Sequence, residues 1–181
     1  MKKEQGMKRL LPILFFISMQ FHAKAQFDIQ YIHELGVGAA FNELVAYPNI
    51  QYSPRLNLYK FTSRSTISID ARVGIGYAFE SGTYVQENYP VLYVPGTINF
   101  NSGACATRTT DDYLGFYFGG GYGYENAWDN YIIHGPVINA GMRLYLGTSP
   151  FDLNVSYLFD LTNQKAPIFG LGVHWVMNML K

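Results

Sequence analysis

Seven charged side chains share one placement rule. Glu34, Arg55, Asp70, Arg72, Arg143, Asp152 and Asp160 each sit one residue away from an apolar neighbour, on the even or odd positions that the apolar residues leave empty. In "TISIDARVGIGYAFE" (66–80), Ile67, Ile69, Val73, Ile75, Tyr77 and Phe79 take the odd positions, and Asp70 and Arg72 take the even ones. Carboxylates and guanidiniums brought together this way have two chemistries open to them: a charged constriction in a pore, or a closed network of ion pairs. The second is favoured, because buried ions left unpaired cost several kcal/mol each, to order of magnitude. His134 or His174 with Ser156 or Ser53 are the candidates for a nucleophile and its base, but nothing in their spacing brings them within hydrogen-bond reach. His33, His134 and His174 fall in separate segments, and separate structural roles fit them better than one metal site. "GGGYGYE" (119–125) lacks the lysine and following helix of a phosphate loop and reads as a packed strand. No HExxH, CxxC, P-loop or GxSxG pattern occurs, and no cofactor is expected.

The elements that carry these charges alternate with a period of two. Eight such runs lie near Ile29 to Phe41, Ile50 to Lys60, Thr66 to Glu80, Val91 to Asn101, Tyr113 to Glu125, His134 to Leu146, Phe151 to Asp160 and Phe169 to Asn178. Each has one apolar face and one face of polar residues and glycine. The fourth contains Pro95-Gly96, which predicts a bulge or an irregular strand end. "GTSP" (147–150) and "KFTSRS" (60–65) read as short turns, whereas "SGACATRTTDD" (102–112) is long where a regular barrel has a short turn.

The chain of 181 residues is 49% hydrophobic and only 14% charged, with 15 Tyr, 13 Phe and 18 Gly, a balance suited to many packed strands. Its first 25 residues read as a secretory leader: Lys8 and Arg9, the apolar "LLPILFFISM", then Ala23-Lys24-Ala25. Met7 offers a second start, and the apolar run is too short for an uncleaved anchor helix. The leader holds Lys2, Lys3, Lys8, Arg9 and Lys24 against Glu4, so residues 26–181 keep 8 basic and 12 acidic residues, a net charge of −4. That leaves no basic patch for nucleic acid. The single cysteine, Cys105, excludes an internal disulfide and is expected to be an inert thiol at a strand end or turn.

Eight amphipathic strands behind a leader predict an all-β, eight-stranded antiparallel up-and-down barrel. Two versions compete: a soluble barrel, lipocalin-like, with an apolar cavity, and a transmembrane barrel with an apolar wall and a filled polar lumen. The polar faces carry mixed charges and rows of glycine, at 36, 38, 74, 76, 119, 121, 123, 141, 170 and 172 among others, which suits a narrow lumen. Between residues 26 and 180 the only lysines are Lys60 and Lys165. Phe41, Tyr52, Tyr77, Phe79, Tyr122, Tyr124, Phe159 and Phe169 are expected near the outer rim as an aromatic girdle, with Trp175 nearer the inner rim.

"YSPRLNL" (52–58), "STISIDARVGIGY" (65–77), "GFYFGGGYGYE" (115–125) followed by "GPVINAGMRLYLG" (135–147), and "DLNVSYLFDL" (152–161) then "IFGLGVHW" (168–175) resemble the bacterial outer membrane protein β-barrel family. That family includes PorT-like and OmpX/OmpA-like small barrels. The resemblance implies an outer-membrane location and a transmembrane barrel, and brings no catalytic residue. The expected role is structural or surface-interacting. The expected partners are outer-membrane lipids and other envelope or surface proteins, met by loops that are acidic on balance: Glu43, Glu80, Glu87, Glu125 and Asp129 against Lys165. The alternatives are the soluble periplasmic barrel and an outer-membrane lipid-modifying enzyme.

Overall fold

The computed structural model describes residues 29–42, 45–81, 86–128, 131–163 and 166–179. The leader expected over 1–25 lies outside the described residues, as do Glu43, Asp129 and Lys165. The alternating runs become nine strands: β1 (Gln30–Phe41), β2 (Val45–Thr62), β3 (Ser65–Ala71), β4 (Val73–Ser81), β5 (Gln86–Gly103), β6 (Leu114–Ala127), β7 (Tyr131–Leu146), β8 (Ser149–Leu158) and β9 (Ile168–Val176). All neighbours pair antiparallel, and β1 pairs with both β2 and β9, so the sheet closes on itself.

Nine strands fill eight positions. β3 and β4 lie between the same two neighbours, β2 and β5, and keep one register across the gap: Ala71 faces Gly96 and Gly74 faces Tyr93. The gap falls at Arg72. Its N–H donates to the Pro95 carbonyl at 2.9 Å, but Pro95 has no N–H to return. The irregularity predicted for the Pro95 strand thus appears on its neighbour, while β5 itself runs unbroken from Gln86 to Gly103. β2 is also longer than the alternation suggests, because register shifts at Asn57/Tyr59 and Lys60/Thr62 let it continue past the regular run.

One circuit around the wall runs Gln30, Asn57, Ser68, Asn99, Gly119, Asn139, Ser156, Gly170 and back to β1 at Ala40, ten residues beyond its start. This stagger tilts the strands and sets the width of the barrel. The residues on the circuit are small or polar and all point inward. Fewer bulky groups fit there, and Gly119 shows why: a Cβ would collide with the Ile98 carbonyl and the Asn99 side chain on β5.

The faces are inverted relative to a soluble protein. Ile50, Phe118 and Ile98 are 66%, 65% and 60% exposed on the outer wall, while Asn57, Asp152 and His174 are buried inside. In water each exposed Ile or Phe forgoes roughly 1.5–3 kcal/mol of burial. A continuous wall of them demands an apolar surrounding, the reverse of a soluble barrel whose apolar faces turn inward. The soluble, ligand-filled barrel is therefore excluded.

Inside are three tiers. At the loop end, where β1 meets β2 and β6 meets β7, Tyr47, Tyr89, Val91, Tyr131, Ile133 and Leu158 form an apolar cap. The middle is polar. At the opposite end, where β1 begins and β9 ends, Ile32, Cys105, Val176 and Met179 pack together with Tyr145. The long 104–113 connection accounts for this last tier, because it folds back into the lumen as a plug. Arg55 Nη2 donates to the Cys105 carbonyl (2.7 Å), and Asn57 Nδ2 and Thr66 Oγ1 donate to the Ala106 carbonyl (2.8 and 3.0 Å). Arg108 N donates to Gln30 Oε1 at 3.0 Å. The chain enters the plug through Gly103, whose φ of +81° suits glycine and whose Cβ position is occupied by the Leu114 carbonyl.

Cys105 is fully buried and is a built-in reporter of the plug. A maleimide is expected to leave it unlabelled in the folded protein and to label it on unfolding. Gly103→Val strains the entry by about 1–3 kcal/mol, and is expected to raise the labelling rate of the folded protein roughly tenfold or more.

Candidate functional site

The middle tier is built from inward positions of seven strands. Arg143 on β7 is its centre. Its Nε lies 3.0 Å from Asp152 Oδ2 on β8 and 3.7 Å from Glu34 Oε1 on β1, and its Nη1 donates to Asn101 Oδ1 on β5 at 2.7 Å. The guanidinium carbon stands 4.0 Å over the Tyr117 ring of β6. Gly141 makes room for that ring, since a Cβ there would overlap it. Arg55 on β2 adds a second cation 3.6 Å from Glu34 Oε1 and also reaches the plug. Tyr117 donates to Asp152 Oδ1 (3.0 Å) and accepts from Asn154 Nδ2 (2.8 Å), while Arg72 Nη1 donates to Asn154 Oδ1. Asp70 accepts from Ser68 Oγ (2.5 Å) and Asn99 Nδ2 (2.7 Å).

Six of the seven charged candidates therefore meet in the lumen. Asp160 does not. β8 ends at Leu158, and Asp160 turns the following loop by accepting from Thr162 N and Oγ1, both at 2.6 Å. With Asp160 outside, three acids (Glu34, Asp70, Asp152) face three arginines (Arg55, Arg72, Arg143) in the middle tier. Neutral residues do as much of the joining as the ions: Asn101 links two arginines, and Asn154 links Arg72 to Tyr117. Their inward parity is visible in the sequence, but their partners come from strands remote along the chain.

A second polar group lies inside the barrel at the loop end. Glu125, expected on an acidic loop, is 0% exposed inside the apolar cap. It accepts hydrogen bonds from Tyr47 on β2 and from Tyr131 on β7 (3.1 Å). The side chains of Glu80 and Glu87 lie outside the described part of the structure.

The lumen leaves little room. A cavity lined by Ser53, Asp70, Arg72, Thr97, Asn139 and Ser156 has a volume of about 10 Å³, roughly one water molecule. The enzyme pairing does not assemble. His134 faces the outer wall and bonds Tyr122 Oη (2.6 Å), so Ser53 and Ser156, both lumenal, lie on the opposite face. His174 is lumenal, but its Nε2 donates to Gln51 Oε1 at 2.7 Å. Among the described residues no three His, Cys, Asp or Glu side chains gather as metal ligands would.

On the outer wall, Phe41 ends β1, Phe79 lies near the end of β4, Tyr124 near the end of β6, and Phe169 near the start of β9, all at the loop end. Tyr77, Tyr122 and Phe159 are exposed on the same wall at 46%, 51% and 42%. Tyr52 departs from the expected rim. It sits mid-strand opposite Leu35, and its hydroxyl reaches His33 and Tyr31 toward the terminal end. Trp175 is the penultimate residue of β9 and pairs with Leu35 and Phe151.

No protein-family profile matches the chain. No curated protein matches it in sequence either. Solved structures do share its shape. The crystal structure of Ail, the attachment invasion locus protein of Yersinia pestis, in complex with the heparin analogue sucrose octasulfate, is 10% identical. It covers 82% of this chain and 97% of that one with a TM-score of 0.53. The outer membrane protein OprG from Pseudomonas aeruginosa is 11% identical over 81% of this chain and 92% of that one, at a TM-score of 0.46. The fold is thus that of a small closed antiparallel β-barrel with eight strand positions, shared with Ail.

Removing one partner from the network strands the other in a buried site. Arg143→Met is expected to destabilise the barrel by about 3–5 kcal/mol, read as a lowered urea midpoint. Arg143→Met with Asp152→Leu is expected to recover part of that loss, because no unpaired acid then faces the missing guanidinium.

Proposed function

We propose that this protein is an integral outer-membrane barrel, not an enzyme, whose lumen is a filled structural core and whose biological work is done at its loop-end surface. The observation that carries this reading is the closure of the lumen at all three tiers: tyrosine cap, ion-pair network and folded-back plug. Among the described residues these three tiers fill the lumen from end to end. What remains available to other molecules is the apolar wall, which meets lipid, and the surface beyond the rims. The exported leader read over 1–25 fits this location.

The Ail structure holds a sulfated heparin analogue. That ligand does not transfer readily, because Glu80 and Glu87 end β4 and begin β5 at the loop end, and the sequence between strands there adds Glu43 and Asp129 against Lys165. An acidic rim repels polysulfates and favours basic protein surfaces or lipid phosphates bridged by divalent ions.

Reconstitution tests both halves. The protein is expected to need detergent for extraction, to shift its gel mobility on heating, and to give no discrete conductance steps in a planar bilayer. Steady ion-conducting steps, or recovery of the protein in soluble form, would overturn the reading.

A further inference from the structure

Two polar pairs interrupt the apolar outer wall, and they are built alike. His33 on β1 has its Nδ1 2.6 Å from Tyr52 Oη on β2, and His134 on β7 has its Nδ1 2.6 Å from Tyr122 Oη on β6. Both imidazoles point outward and are half-buried. In each case the tyrosine comes from the adjacent strand, two residues along from the direct partner: Tyr52 faces Leu35, and Tyr122 faces Pro136. Tyr31 extends the first pair, its hydroxyl 3.4 Å from Tyr52 and its ring 4.3 Å edge-on to His33.

Both pairs lie where a neighbouring strand stops. The β1–β9 ladder ends at Glu34 facing Val176, and His33 is the next residue outward. Its N–H is met by the Asn178 side chain at 3.0 Å, in place of another strand residue. The β7–β8 ladder ends at Val137 facing Leu158, and His134 lies beyond it, its carbonyl taken at 3.1 Å by Leu161 N from the following loop. His33 thus lies three residues from the terminal end of β1, and His134 three residues from the loop end of β7. A tyrosine hydroxyl that donates to Nδ1 leaves the imidazole proton on Nε2. In hydrocarbon an N–H without an acceptor is costly, so a ring in this setting belongs at the depth of the lipid headgroups.

We propose that the two Tyr–His pairs are contact sites for lipid phosphate, one in each leaflet, each donating from its imidazole Nε2 to a phosphate oxygen and together fixing the depth of the barrel in the bilayer. This inference rests on the membrane reading above. His174 supplies an internal control, since its Nε2 is already bonded to Gln51 inside the lumen.

The test is solid-state NMR of the mature chain, with ¹⁵N-labelled histidine, reconstituted in phospholipid vesicles, reading the loss of imidazole ¹⁵N signal caused by lipid ³¹P. Loss of signal is expected at His33 and His134 and not at His174. Tyr52→Phe and Tyr122→Phe are each expected to abolish the loss at their own histidine while leaving the heat-shift in gel mobility intact. A Tyr→Phe variant that keeps the loss overturns the proposed part of its tyrosine. No loss at either ring, or equal loss at His174, overturns the proposal, and loss at one ring only overturns the claim of two leaflets. Magnetisation transfer from acyl-chain protons to Ile138 and Val155 on the outer wall reads the membrane placement separately. Its presence with no phosphate contact sinks this inference alone, and its absence sinks the membrane reading itself.

Discussion

The structure depends on one constraint: each charged side chain enclosed between the apolar walls must find a partner inside the barrel. Arg143 shows how it is met. Its guanidinium contacts Asp152, Glu34 and Asn101 and lies over Tyr117, so its donors and its charge are answered by residues from β8, β1, β5 and β6. Ions cost more to bury than a surface pair returns, and removing any one leaves the rest exposed to that cost. The network therefore specifies which strands face one another at mid-barrel. It works as a registry device that complements the backbone ladder.

Glycine and the plug follow from the same requirement. A ring of eight strands has a narrow interior, and each large polar side chain needs a neighbour without one, as Tyr117 needs Gly141. Arg55 has work beyond Glu34, because its second nitrogen binds the Cys105 carbonyl. The 104–113 segment supplies main-chain acceptors to Arg55, Asn57 and Thr66, three donors that the strands alone do not satisfy. A connection that is too long for a turn has the length needed to cap the lumen.

Much of this was legible in the sequence, for a physical reason. Strand parity is local, and the period-two pattern of Thr66–Glu80 places Asp70 and Arg72 inside and Ile67, Ile69 and Ile75 outside without knowledge of any partner strand. What parity cannot supply is where the ladder stops. Asp160 has inward parity, but the strand ends two residues earlier. Glu125 was assigned to a loop, but β6 runs on to Ala127 and carries it inside, where Tyr47 and Tyr131 hold it. Tyr52 was given to the rim because the start of β2 was placed five residues late, at Ile50 instead of Val45. The plug was invisible for a different reason: its anchors lie about 40 to 80 residues away along the chain.

The lumen is a sealed network of ion pairs and hydrogen bonds around Arg143. Hydrogen exchange at the Arg143 Nε proton, followed by ¹⁵N–¹H NMR of the reconstituted barrel, tests it most directly. This account expects that proton to stay resolved and to exchange far more slowly than that of Arg64, whose side chain is 72% exposed. Exchange of Arg143 at the rate of Arg64 would mean that water moves freely through the lumen, and would contradict it.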